Sequence, residues 1–153
     1  MMKSIPVWKQ ELSDGVHAAR LASLYCCAPA ETASEAARYA AVLDGLEKTF
    51  GSHAEAGLYS APGRTEIGGN HTDHQHGRVL AGSVNIDMIA AAAPNDKNQL
   101  RVQSEGYDLC IIDLNDLEAR KEEENTTASL LRGECAAFTQ RGAKLAGLDV
   151  YIA

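Results

Sequence analysis

Apolar residues in the first third of the chain recur at helical spacing. Trp8, Leu12, Val16, Ala19 and Leu24 predict an amphipathic helix from Val7 to about Tyr25, with Gly15 as its weak point and Pro29 as a stop beyond its end. Thr32-Ala33-Ser34-Glu35 then reads as a capping box, and Ala36, Tyr39 or Ala40, Leu43, Leu46 and Phe50 form one stripe ending at a C-terminal cap on Gly51. From Leu58 the pattern changes to short apolar runs broken by Gly, Asn and Asp. Met88 to Ala93, Leu100 to Ser104 and Leu109 to Leu114 are predicted strands, and their short connections imply an antiparallel meander. Residues 115–125 are dominated by charge and read as a solvated loop or helix surface. A third helix is expected from about Thr127 to Leu145, with Leu130, Leu131, Cys135, Phe138 and Leu145 inward. Leu148 to Ala153 alternate like a strand with no turn beyond, as expected of a chain that has been cut short. The pattern amounts to an α+β fold in one partial domain, residues 1–153. Helices occupy 1–55; a polar loop, the meander, a helix and a terminal strand occupy 56–153.

Composition narrows the function. Fourteen Lys and Arg against 21 Asp and Glu give a net charge of -7, which argues against a nucleic-acid partner, since that needs a basic face to displace counterions. No apolar run approaches the ~20 residues that cross a bilayer, and the opening residues lack the hydrophobic stretch of a signal peptide. A cytoplasmic protein with no membrane partner is expected. Cys26 and Cys27 are adjacent while Cys110 and Cys135 stand alone, which predicts reduced, mostly buried thiols rather than a disulfide framework. His17 and His53 are assigned to the surface.

One segment stands apart. Between Ala61 and Gly77, seventeen positions hold four glycines, three histidines, an arginine and two acids, with almost no apolar content. Such a loop buries little, so stability alone does not account for it. Its glycines would let main-chain amides approach a ligand closely. Arg64 offers a planar fork of donors for phosphate oxygens, and His71 with Asp73 supplies the donors and acceptors that grip vicinal hydroxyls of a sugar.

The segment resembles the first signature of the galactokinases, within the wider family of small-molecule kinases acting also on homoserine, mevalonate and phosphomevalonate. The pattern A-P-G-R-x-N-x-x-G-E-H-x-D-Y is matched by Ala61, Pro62, Gly63, Arg64, Gly69, His71 and Asp73. The resemblance extends over about Ala36 to Ala153. It implies a mostly antiparallel sheet packed against helices, as in the N-terminal domain of galactokinase-type kinases, a fold similar to the second domain of ribosomal protein S5. It also implies an ATP-dependent sugar kinase, with a monosaccharide, foremost galactose at O1, and ATP as partners and magnesium accompanying ATP. Arg64 would lie beside the transferred phosphoryl group as the catalytic residue, while Asn70, His71 and Asp73 would bind the sugar. Glu66 and His74 would stand behind them.

Three positions depart from the pattern: Glu66 replaces Asn, Asn70 replaces the sugar-binding Glu, and His74 replaces Tyr. Asn70 both donates and accepts where a carboxylate only accepts, which re-pairs a hydroxyl or changes the sugar. Glu66 would either ion-pair with Arg64 or remain a solvated charge. The glycine- and serine-rich ATP loop of the family, and the aspartate acting as its base, would come after Ala153, so the ATP and magnesium sites fall mostly outside the chain. An amino-terminal fragment, inactive alone and exposing an edge and apolar surface that invite self-association, is therefore expected. Other readings stay open. The same loop could serve a non-catalytic sugar sensor or regulatory module, the chain could be a pure interaction module, and His71, Asp73, His74 and His76 could be read as a zinc or iron site. Against that, tetrahedral sites usually draw a ligand from a distant element, and the only other histidines, His17 and His53, have no motif around them.

Overall fold

The computed structural model describes residues 1–69 and 76–153. In chain order the elements are β1 (Met2–Lys3), α1 (Ile5–Ser13), α2 (Ala18–Tyr25), α3 (Ala33–Phe50), β2 (Ala56–Gly68), β3 (Leu80–Pro94), β4 (Gln99–Ser104), β5 (Cys110–Asp113), α4 (Thr127–Gln140) and β6 (Leu148–Ile152). The strands form one sheet in the order β1-β2-β3-β6-β4-β5. Every neighbouring pair is antiparallel except β4 and β6, which run parallel. The expected α+β class with a mostly antiparallel sheet is what the chain adopts. The simple meander is not, because β6 inserts between β3 and β4.

The first predicted helix is two. Gly15 adopts φ +71°, a left-handed conformation that ends α1, and the chain turns into α2. α1 is tied to the sheet by Trp8, whose buried indole Nε1 donates to the Ala56 carbonyl at 2.8 Å. α3 forms where its stripe predicts, and Gly51 at φ 90° closes it. Its start differs from the capping box. The Thr32 hydroxyl donates to the Pro29 carbonyl, and Glu31 instead accepts from the Ala28 amide in the short 3₁₀ turn before the helix.

The core lies between α3 and the middle of the sheet. Val42, Leu43 and Leu46 are fully buried against Ile89, Ala91 and Ala93, which alternate on one face of β3. Burying each leucine is worth about 1.5–3 kcal/mol relative to exposure, so this seam holds much of the stability. Helix and strand approach closely at Gly45, where a Cβ would collide with the Tyr151 ring of β6.

α4 covers the β4–β5 end and is shorter than expected. Its buried residues are Arg132 and Cys135, while Leu130 and Phe138, expected inward, are exposed. Its Thr126 cap accepts from the Ser129 amide. Arg132 is held by both carboxylate oxygens of Glu123 at 2.7 Å, so one acid of the charged 115–125 segment is a structural anchor. Among the four free thiols only Cys135 is buried; Cys26 is exposed and the other two are half-buried, against the expectation of mostly buried cysteines. No helix among the described residues is long and apolar enough to cross a membrane.

Candidate functional site

The polar segment expected as a loop is, in its first half, a strand. β2 runs through Ala61 to Gly68 and pairs with β3, so that Arg64 faces Ser83, Thr65 faces Gly82 and Glu66 faces Ala81. Beyond Asp87 the two strands form a ribbon that pairs with no other described strand, because β1 reaches only Gly57 and β6 only Ala90. Its side chains are nearly all exposed or half-buried. Period-two burial is therefore missing there, which is why the sequence reads as a loop.

Register shifts between Pro62 and Arg64 and between Glu66 and Gly68 bend the ribbon on both sides of Arg64. Near the tip Gly69 adopts φ +119°, and a Cβ there would lie 2.6 Å from the Arg78 carbonyl oxygen. Only glycine fits, which gives a physical reason for that position of the signature. Arg64 is exposed and makes no hydrogen bond or ion pair with another described residue, so its donor fork is available to an anion. Glu66 stands two positions on along the same strand, in an uninterrupted stretch of register. Asn70, His71, Asp73 and His74 lie outside the described residues. His76 is exposed at φ 62°, and among the described residues no group of three or more His, Cys, Asp or Glu is placed to hold a metal ion.

Two carboxylates that sequence reasoning did not single out each gather three or more hydrogen bonds. Asp87, with a side chain only 2% exposed, accepts from Ser60 Oγ at 2.5 Å, Tyr25 Oη at 2.6 Å and Arg38 Nη2 at 2.9 Å. Arg38 also donates to Glu35, and the Tyr25 and Tyr39 hydroxyls are 3.0 Å apart. Burial alone would raise the Asp87 carboxyl, but the hydrogen bonds from Ser60, Tyr25 and Arg38 outweigh it and hold it below the ordinary carboxylate range. Burial, reinforced by Asp87 and Tyr39, raises the Tyr25 phenol.

Asp149, fully buried on β6, accepts from Arg101 Nε at 2.6 Å, Arg101 Nη2 at 2.5 Å, Asn95 Nδ2 at 2.6 Å and His53 Nε2 at 2.9 Å. Here too burial is outweighed by the donors, and the carboxyl sits below its usual range. His53 is thus a half-buried structural partner rather than a freely solvated surface residue, and its Nδ1 has no hydrogen-bond partner among the described residues. His17 is half-buried and bonds Glu11. The available sequence signal for both acids was an aspartate inside an apolar run, Ile86-Asp87-Met88-Ile89 and Leu148-Asp149-Val150.

One comparison with known proteins falls on the ribbon. A family model for the galactokinase galactose-binding signature matches residues 46–94, from the end of α3 through β2 and β3. The chain is galactokinase-like. It is 29% identical over 113 residues to the galactokinase of Lacticaseibacillus casei, covering 72% of this chain and 29% of that protein. To the Streptomyces coelicolor galactokinase it is 28% identical over 108 residues, covering 71% and 28% respectively. Its fold is similar to part of the Lactococcus lactis galactokinase crystallised with galactose, with a TM-score of 0.63, 22% identity and coverage of 71% of this chain and 29% of that one. The chain thus spans less than a third of the length of the curated galactokinases it matches.

Proposed function

We propose that this chain is the sugar-cradling, amino-terminal portion of a galactokinase-like phosphotransferase that moves the terminal phosphoryl group of ATP to the anomeric oxygen of galactose. The carrying observation is that the galactose-binding signature covers the whole β2–β3 ribbon, with the guanidinium of Arg64 exposed on it. In the transfer, O1 of the sugar forms a bond to the phosphorus as the bond to the ADP oxygen breaks, and the hydroxyl proton passes to a base. Such a step needs alignment and charge neutralisation more than covalent help from the protein. Arg64 would neutralise charge on the migrating group. Asn70, His71 and Asp73 would bind the sugar hydroxyls, with Glu66 and His74 supporting them. Bound ATP with magnesium supplies the phosphoryl group and its charge compensation; the residues holding them belong mostly outside this chain, in a cytoplasmic enzyme of which 1–153 is one partial domain.

Calorimetric titration with galactose, with glucose as the control, tests the cradle. Micromolar to millimolar galactose binding without response to glucose is expected, and no heat with either sugar ends the proposal. In a complete enzyme, Arg64→Ala should slow transfer with little change in sugar affinity, while Asp73→Ala should weaken sugar binding about tenfold or more, the size of one lost hydrogen bond to a charged group. The reverse pattern would reassign both residues.

A second reading, a non-catalytic sugar-binding or regulatory module, is favoured by the matched signature being one of galactose binding rather than of phosphoryl transfer. Sugar binding without ADP release from ATP-magnesium selects it. The exposed Tyr59, Ile86 and Met88 support a further expectation, self-association of the isolated chain, which sedimentation at rising concentration would reveal.

A further inference from the structure

We infer that Tyr25 and Arg38, acting through Asp87, are positioning residues that aim the β2–β3 ribbon, and with it Arg64; the functional consequence rests on the sugar-cradle reading above. Asp87 pairs with Pro62, at the last position before the register shift that leads to Arg64. At a rise of roughly 3.3 Å per residue, Arg64 lies only about 7 Å further along β2. The contacts that reach this point come from three directions. Ser60 donates from β2 itself, Arg38 from α3, and Tyr25 from the last residue of α2. Arg38 is held in turn by Glu35, and Tyr25 by Tyr39. Past Asp87 the ribbon pairs with no third described strand, and an isolated two-stranded ribbon is marginal in water.

The direction in which the ribbon leaves the body is therefore set at this knot. Two of its three donors, Tyr25 on α2 and Arg38 on α3, come from segments that precede the matched signature at 46–94. The α1–α2 segment thereby acquires a role in the site without touching the ligand. The arrangement is also chemically economical. A neutral residue at 87 would leave the Arg38 guanidinium half-paired, and a Phe at 25 would keep the ring in the core while withdrawing one of Asp87's three donors.

Amide hydrogen exchange on the full chain tests this with Tyr25→Phe and Asp87→Asn. The expected result is exchange at Thr65, Glu66, Gly82 and Ser83 faster by about tenfold, the effect of losing one hydrogen bond to a charged group, with Ala91 and Ala92 unchanged. Galactose affinity should fall in Tyr25→Phe while the thermal midpoint of the body stays within a few degrees. Unchanged ribbon exchange in both variants overturns the inference, as does uniform acceleration of ribbon and core amides, which would mean simple destabilisation. The exchange pattern decides the inference by itself, whereas the galactose titration of the unmodified chain decides the reading on which its consequence rests.

Discussion

The same two strands, β2 and β3, build two unlike regions. In their body half, Ile89, Ala91 and Ala93 alternate inward against α3, and β6 adds a third strand. In their ribbon half, Ile67, Leu80 and Ile86 are 66%, 62% and 75% exposed. One half is specified by packing and the other by the chemistry it carries. The difference teaches that stability and function can be read as separate layers on one continuous pair of strands, with Asp87 marking the boundary.

That separation is most severely tested in the body. Asp149→Ala should cost about 3–5 kcal/mol in urea unfolding, because Arg101 would be left largely buried without its carboxylate. Leu43→Ala should rank second at about 3 kcal/mol, from lost burial and a residual cavity beside Leu46 and Ile89. A loss under about 1 kcal/mol in either variant would show that α3 and β6 are not the stabilising seam.

Acid sharpens the contrast next. Asp87 and Asp149 both titrate below their ordinary value in the folded chain, so the stability they contribute is fully present above the unfolded carboxylate value of about 3.9 and disappears as pH falls through their lower folded values. Unfolding free energy should be flat in these two groups above about pH 5 and decline below about pH 4. Asp87→Asn should shallow that decline; an identical slope would remove Asp87 from the account.

The smallest effects belong to the ribbon. Ile86→Ser and Arg64→Ala should each change unfolding free energy by no more than about 0.5 kcal/mol, as exposed substitutions do. A loss of about 2 kcal/mol or more at Arg64 would mean that the ribbon is structural after all.

How much of this is legible in the sequence respects the same boundary. α3 is readable because its stripe repeats over about four turns, and β4 to β6 because short apolar runs are punctuated by Asn, Asp and Gly. The signature is readable through the order of residues around Arg64, although not its conformation. A free-standing ribbon has no buried face to impose alternation, so Ala61 to Gly68 carry chemistry without announcing a strand. Leu130 and Phe138 mislead because helical spacing records which residues share a face, not whether anything covers it. Asp87, Asp149 and His53 are hidden for a different reason. Their partners are separated by up to 96 positions in the chain, and no local pattern reports such a meeting.

The placement of β6 has a consequence for how the chain is made. Emerging from a ribosome, β2 with β3 and β4 with β5 can each close as local hairpins, yet nothing joins the two until Leu148 to Ile152 slides between them. All of these 153 residues must therefore be all but synthesised before the sheet becomes continuous, and a polypeptide released a few residues before Leu148 would be left as two half-sheets with unsatisfied margins.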